Sequence, residues 1–140
     1  MDNISKAQRR ANMRAVRSRD TGPEMLVRSL LHRLGYRFRL HRKDLPGTPD
    51  LVFISRRKVI FVHGCFWHQH PKCPRATVPS SNVEFWGRKL ERNTARDRGD
   101  LMRLRRLGWK VMVVWECNTK RPERLTARLR RFLANPPYPL

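Results

Sequence analysis

The chain has 140 residues, with 32 lysines and arginines against 11 aspartates and glutamates, for a formal net charge of +21. That length suits one domain with a real core, and that charge asks for a polyanion, of which nucleic acid is the commonest in a cell. A membrane partner is disfavoured: the basic residues run through every segment, no apolar run approaches spanning length, and the first six residues form no signal-peptide core.

Residues 1–20, with Arg9, Arg10, Arg14, Arg17 and Arg19, read as a basic arm or an amphipathic helix that orders on its ligand. Thr21-Gly22-Pro23-Glu24 predicts a helix start: Thr21 caps, Pro23 suits the first turn, and Glu24 stands three residues on as in a capping box. Met25, Leu26, Leu30, Leu31 and Leu34 give its apolar face, and Gly35 ends it. From Tyr36 to His41 the chain alternates like a strand, and Leu45-Pro46-Gly47-Thr48-Pro49 is a turn. Asp50 then opens two unbroken apolar runs, Leu51–Ile54 and Val59–Val62, joined by a short polar link that predicts a hairpin. Continuous hydrophobicity means that both faces of those strands are covered by helices.

A loop runs from Gly64 to about Ser81. Ser81 or Asn82 caps a long helix from about Val83 to Leu107, stopped by Gly108. Its apolar positions (Phe85, Trp86, Leu90, Leu101, Leu104, Leu107) are interrupted by the polar stretch 91–100. Trp109–Trp115 reads as a buried strand, Pro122–Leu133 as an amphipathic helix, and 134–140 as a proline-rich tail. The order α-β-β-β-α-β-α predicts an α/β domain over residues 21–133, a small mixed sheet flanked by helices.

Two constellations carry chemistry. Cys65-x4-His70-x2-Cys73 with Cys117 has the composition of a Cys3His site. Thiolates with one imidazole select zinc over magnesium, and four protein ligands leave no open position, so the zinc would be structural. Cys65-x2-His68 is an equally good pair, and His63 is close by. The bland reading makes Cys65 and Cys117 small buried hydrophobes and Cys73 an inert thiol. The odd number of cysteines argues against a disulfide framework and for a reducing, intracellular compartment.

Asp50 stands at the mouth of a buried strand, where a carboxylate can hold Mg2+ for phosphodiester hydrolysis. His63 and His68 leave the adjoining strand and are candidates for the base that activates water. Asp97 and Glu24 are further acidic candidates, although Glu24 has a competing job as a cap partner and Asp97 as half of a surface ion pair. For Asp50 the competing reading is an Asx turn or a strand-edge solubility residue.

The chain resembles the very-short-patch repair endonucleases, bacterial enzymes that nick DNA beside a T:G mismatch left by deamination of 5-methylcytosine. The resemblance rests on Asn12-Met13-Arg14-Ala15, Arg19-Asp20-Thr21, Leu45-Pro46-Gly47-Thr48-Pro49-Asp50 and Phe61-Val62-His63-Gly64-Cys65-Phe66-Trp67-His68. It continues through Glu84-Phe85-Trp86, Asn93, Arg96-Asp97-Arg98, Leu107-Gly108-Trp109 and Val114-Trp115-Glu116-Cys117. It implies a restriction-endonuclease-like fold, with Mg2+ at Asp50 and the main-chain carbonyl of Val62. It further implies His68 as general acid/base, Asp97, Glu24 and His63 in support, and zinc on Cys65, His70, Cys73 and Cys117. Val62 departs from the family's best-known member, which has threonine there, and the Glu-x-Lys half of the usual restriction-enzyme motif is missing after Asp50.

A T:G wobble pair is weakly stacked, so aromatic wedges can exploit it. Phe66 and Trp67 are consecutive and on a loop can enter a base stack together; core packing is the alternative. From the residues alone Trp86 reads as core beside Phe85 and Leu90. The resemblance instead places Phe66, Trp67 and Trp86 on the major-groove side, with Met13 of the arm entering opposite. The expectation is a monomeric, Mg2+-dependent, strand-nicking mismatch endonuclease of the bacterial cytoplasm, acting on double-stranded DNA, with mismatch-repair proteins as candidate partners. The runners-up are a restriction-type nuclease on the same fold and a non-catalytic, zinc-stapled DNA-binding module.

Overall fold

The computed structural model describes residues 20–134; the basic arm with Met13, and the end of the tail, lie outside the described residues. Among the described residues three α-helices, α1 (Gly22–Arg33), α2 (Val83–Arg106) and α3 (Pro122–Ala134), accompany four strands. The strands are β1 (Arg39–Leu40), β2 (Leu51–Phe53), β3 (Lys58–His63) and β4 (Lys110–Trp115), in the expected order along the chain. They form one mixed sheet in the order β1-β2-β3-β4, antiparallel except for the parallel pair β3–β4, which α2 connects. Among the described residues no helix is long and apolar enough to cross a membrane.

Side-chain alternation divides the core into two. Leu51 and Phe53 of β2, Ile60 of β3, and Met112 and Val114 of β4 pack against Val27, Leu30 and Leu31 of α1 and Leu125, Leu129 and Leu133 of α3. Val52, Val59 and Phe61 point the other way, to Leu104 of α2 and Trp109. This is the sandwich that the unbroken apolar runs require. Leu125, Leu129 and Leu133 recur every four residues and are sealed, so each removal to alanine costs about 2–5 kcal/mol. Lys58 is buried as well, its ammonium donating to the carbonyls of Phe132 at 2.7 Å and Leu133 at 3.4 Å and so satisfying the end of α3.

The ends of α1 and α2 follow one recipe. Gly35, at φ +86°, lets its own amide reach the His32 carbonyl and that of Tyr36 reach Leu31. Gly108, at φ +91°, does the same with Arg105 and Leu104. At the start of α1 only half of the predicted box forms. The Glu24 amide donates to Thr21 Oγ1 at 3.3 Å, but the Glu24 carboxylate reaches past Thr21 to the Asp20 amide at 3.1 Å.

Three expectations need correction. The predicted strand Tyr36–His41 shrinks to Arg39–Leu40, because its partner β2 is short and His41 turns away at φ +48°. Asn82 precedes α2 in a left-handed conformation and makes no side-chain cap. Phe85 is 55% exposed and Trp86 half-buried, and neither joins a core cluster.

Candidate active site and metal centre

Alternation also positions the site. Asp50 shares the parity of Val52, and His63 that of Phe61, so both lie at one end of the sheet toward α2. The polar middle of α2, which interrupts its apolar face, stands over that end, leaving a cleft of about 1250 Å3 that includes Asp50, Val62, His63, His68 and Asp97. The Leu45–Pro49 turn brings Asp50 in. Gly47 is at φ +75°, and a Cβ there would come within 3.0 Å of Asp100 on α2, so only glycine fits.

The Asp50 side chain replaces the next rung of the β2–β3 ladder: its Oδ2 accepts the Val62 amide at 2.7 Å. Burial pushes the Asp50 carboxyl up to about 7, the Val62 amide opposes this, and the charge and hydrogen bonding of neighbouring Glu24 add to the rise. Two close carboxylates form a hard-donor set of the kind that suits a divalent cation. Glu24 is itself sealed, 1% exposed, and holds Arg28 at 3.3 Å and His41 Nε2 at 2.9 Å on one oxygen.

His68 Nδ1 is 2.7 Å from Asp97 Oδ2, and its ring stacks on His63 with centroids 3.8 Å apart and planes within 5°. No described residue bonds His68 Nε2, which leaves that nitrogen to solvent or substrate. Burial, with the His68 charge second, pulls His63 down to about 3, against the opposing effect of Asp97, so His63 is a neutral platform at ordinary pH. Of the sequence alternatives, Asp97 meets a histidine and not an arginine, and His68 groups with His63 and Asp97 while His70 groups with the cysteines.

The cysteines gather with His70. One ligand atom from each of Cys65, His70, Cys73 and Cys117 lies within 4.8 Å of all the others. His70 Nδ1 is 3.8 Å from Cys65 Sγ and 3.4 Å from Cys117 Sγ. Tetrahedral bonds of ordinary Zn–S and Zn–N length would set that edge at about 3.5 Å. The His70 ring stacks on Trp115 at 4.2 Å, and the Cys117 amide donates to Cys65 Sγ at 3.4 Å, an outer contact that suits a thiolate ligand. Burial, with the neighbouring thiols, pushes the Cys65 thiol up to about 12, so a bound cation would have to displace its proton. Burial also lowers His70, keeping the neutral imidazole that a metal needs. The cluster therefore offers the donor chemistry that a metal ion needs.

Beside the cleft, Phe66, Trp67 and Trp86 form a half-buried cluster, with Phe66 centroids 5.1 Å from Trp67 and 5.6 Å from Trp86. Asn93 of α2 donates to the Trp67 carbonyl at 3.2 Å and ties the aromatic loop down, while the Lys89 ammonium stands 5.4 Å over the Trp67 ring. Sequence reasoning did not single out His41 or Lys89. His41 read as one polar position of an alternating strand, and only pairing across the sheet brings it to Glu24 and Asp50.

The family model described as DNA mismatch endonuclease Vsr matches residues 1–75. The chain is 54% identical over 132 residues to the type II nicking enzyme V.XorIIP of Xanthomonas oryzae, covering 94% of this chain and 96% of that one. It is 49% identical over 121 residues to the DNA mismatch endonuclease Vsr of Escherichia coli, covering 86% and 77%. It is 38% identical to the type II nicking enzyme V.NmeAIP of Neisseria meningitidis, covering 94% of each. With relatives this similar along nearly its whole length, the chain belongs to the Vsr family of DNA mismatch endonucleases.

Proposed function

We propose that the chain is a DNA mismatch endonuclease that nicks one strand 5′ to the T of a T:G mismatch, using the Asp50–His68 cleft. The observation that carries this reading is the His68–Asp97 pair, 2.7 Å apart, opening its second ring nitrogen into the cleft that Asp50 lines. Asp97 accepts from Nδ1–H and so fixes the tautomer whose Nε2 takes a proton from the attacking water. The stacked, neutral His63 holds the plane of that ring without competing for the proton. Asp50, aided by the Val62 carbonyl and by Glu24, would hold Mg2+, which when bound supplies positive charge against the scissile phosphate. Phe66, Trp67 and Trp86 would enter the weakened stack from one groove, and Met13 from the other.

Further parts of the reading rest on the same logic. The fold is of the restriction-endonuclease type, supported by an acidic residue after Pro49 at the end of a β2–β3 hairpin joined to a parallel β4. Zinc occupies Cys65, His70, Cys73 and Cys117 as a structural ion. Residues 1–20 act as a DNA-binding arm on an endonuclease domain of residues 21–133, with 134–140 as a tail. The protein works as a monomer on double-stranded DNA in the bacterial cytoplasm, with mismatch-repair proteins as candidate partners.

The test is a strand-resolved nicking assay with Mg2+ on T:G and fully matched duplexes of the same sequence. A single nick 5′ to the mispaired T is expected, lost in Asp50→Ala while duplex binding remains. Equal cutting of matched DNA would favour a restriction-type nuclease, and binding without any metal-dependent cutting would favour a DNA-binding module.

A further inference from the structure

Glu24 is almost wholly sealed from solvent, and its carboxylate stands close enough to Asp50 to raise that group. Three donors converge on it: the Asp20 amide on Oε1 at 3.1 Å, and Arg28 and His41 on Oε2 at 3.3 and 2.9 Å. Asp20 and Arg28 belong to α1 or its approach and move with the helix. His41 does not. It follows directly on β1, and its main-chain amide donates to the carbonyl of Asp50 at 3.1 Å. One residue therefore grips both acids, Glu24 by its ring and Asp50 by its backbone.

Two further observations sharpen its role. The backbone of His41 is left-handed, at φ +48°, a conformation uncommon for residues other than glycine, although histidine, asparagine and aspartate adopt it more readily than most. Such a conformation persists only where its surroundings hold it in place, and it clusters at functional sites. Ligand atoms of Asp20, Glu24 and His41 lie within 4.8 Å of one another, yet the Arg28 guanidinium already bridges Asp20 at 2.8 Å and Glu24 at 3.3 Å. That cluster is balanced by a guanidinium and does not itself call for a cation. His41 is left as a donor to Glu24, beside Asp50.

We propose that His41 is a positioning residue for metal binding: its Nε2–H donates to Glu24 Oε2 and holds that carboxylate against Asp50, so that both acids meet one divalent cation in a single arrangement. The inference rests on the reading of the cleft given above and adds to it a residue that acts through Glu24 and Asp50. Carboxylates that serve a metal are themselves oriented by hydrogen bonds, and losing such a partner typically costs 10–100-fold in metal affinity or activity.

The experiment titrates Mn2+, read by electron paramagnetic resonance, into the full chain bound to a T:G duplex with a non-hydrolysable linkage at the scissile position. The Mg2+ dependence of nicking is measured in parallel. His41→Ala should weaken Mn2+ binding and raise the Mg2+ needed for half-maximal nicking by the same factor, roughly 10-fold or more, with duplex affinity unchanged and nicking recovering at saturating Mg2+. His41→Gln keeps an N–H donor of similar reach and should restore Mn2+ affinity to within about threefold of the parent chain. Should alanine at a left-handed position impair folding, His41→Asn tolerates that backbone but is too short to reach Glu24, and it carries the same expectation. Unchanged Mn2+ affinity in folded His41→Asn would overturn the proposal, as would equal losses in the glutamine and alanine variants. Asp50→Ala separates this claim from the one beneath it. If it binds Mn2+ like the parent chain, the cleft reading fails; if it loses Mn2+ while folded His41→Asn retains it, only the role of His41 falls.

Discussion

A histidine becomes a useful base when something else decides which of its nitrogens carries the proton. In the proposed mechanism Asp97, 2.7 Å from Nδ1, does so for His68, and the flat stack on His63 limits how the ring can turn. Asp97→Asn keeps the size of the side chain but removes the charge that favours Nδ1–H and stabilises the imidazolium. Single-turnover nicking should fall by about 10²–10⁴-fold while mismatch binding stays level, measured by quench kinetics and gel shift. Undiminished nicking would remove Asp97 from the machinery. Asp50 carries a pH signature of its own. Its carboxyl rises from 3.8 to about 7 on folding, so the folded chain holds that proton more tightly than the unfolded one. The stability this adds is complete below pH 3.8 and is lost as pH climbs through about 7. His63 runs the opposite way: lowered from 6.5 to about 3, it costs stability as pH falls through that window. The difference between Asp50→Asn and the parent chain cancels the His63 contribution. In magnesium-free buffer, the thermal midpoint of the variant should gain on the parent from pH 4 to pH 8, and a flat difference would contradict the burial argument.

The elements do more than hold the core. The strand β3 ends in His63, the loop after it carries Cys65, the aromatic pair and His68, and β4 ends beside Cys117. A metal on the four-ligand cluster would tie that loop to the end of β4, so the proposed base and the proposed wedge residues would be positioned by the same clamp. Elemental analysis of the purified chain should find one zinc per molecule. Cys117→Ser should lose it and lower stability to urea by more than about 2 kcal/mol, with the near-ultraviolet signal of the loop tryptophan changing in step. A full zinc complement in that variant would move the site elsewhere. The turn before β2 is equally demanding, since Gly47 is required both by its positive φ and by the approach of Asp100.

At the scale of the molecule, +21 on 140 residues makes DNA binding a counterion-release problem. Binding to the T:G duplex between 50 and 200 mM salt should give a log–log slope on the order of −5 or steeper, as six or more neutralised phosphates require. A slope near zero, measured by fluorescence anisotropy, would mean that the charge is not spent on the DNA backbone. The aromatic cluster has a different signature: Phe66→Ala and Trp67→Ala together should weaken discrimination of T:G from matched DNA with little change in that slope.

Much of this was legible along the chain. Residue order determined the α-β-β-β-α-β-α succession, the doubly covered strands β2 and β3, the glycine stops of α1 and α2, and the chemistry on offer from three cysteines, five histidines and few acids. These follow from local propensity and periodicity, which a linear chain displays openly. Only the tertiary structure decided which neighbours those groups keep. It set His70 among the cysteines and His68 against Asp97, 29 residues away, left Trp86 outside the core, and brought His41 across the sheet to Asp50 and over to Glu24. Such pairings depend on register, on the direction in which each side chain leaves its backbone, and on the crossing of α2 over the end of the sheet, and none of these is a property of a residue and its sequence neighbours.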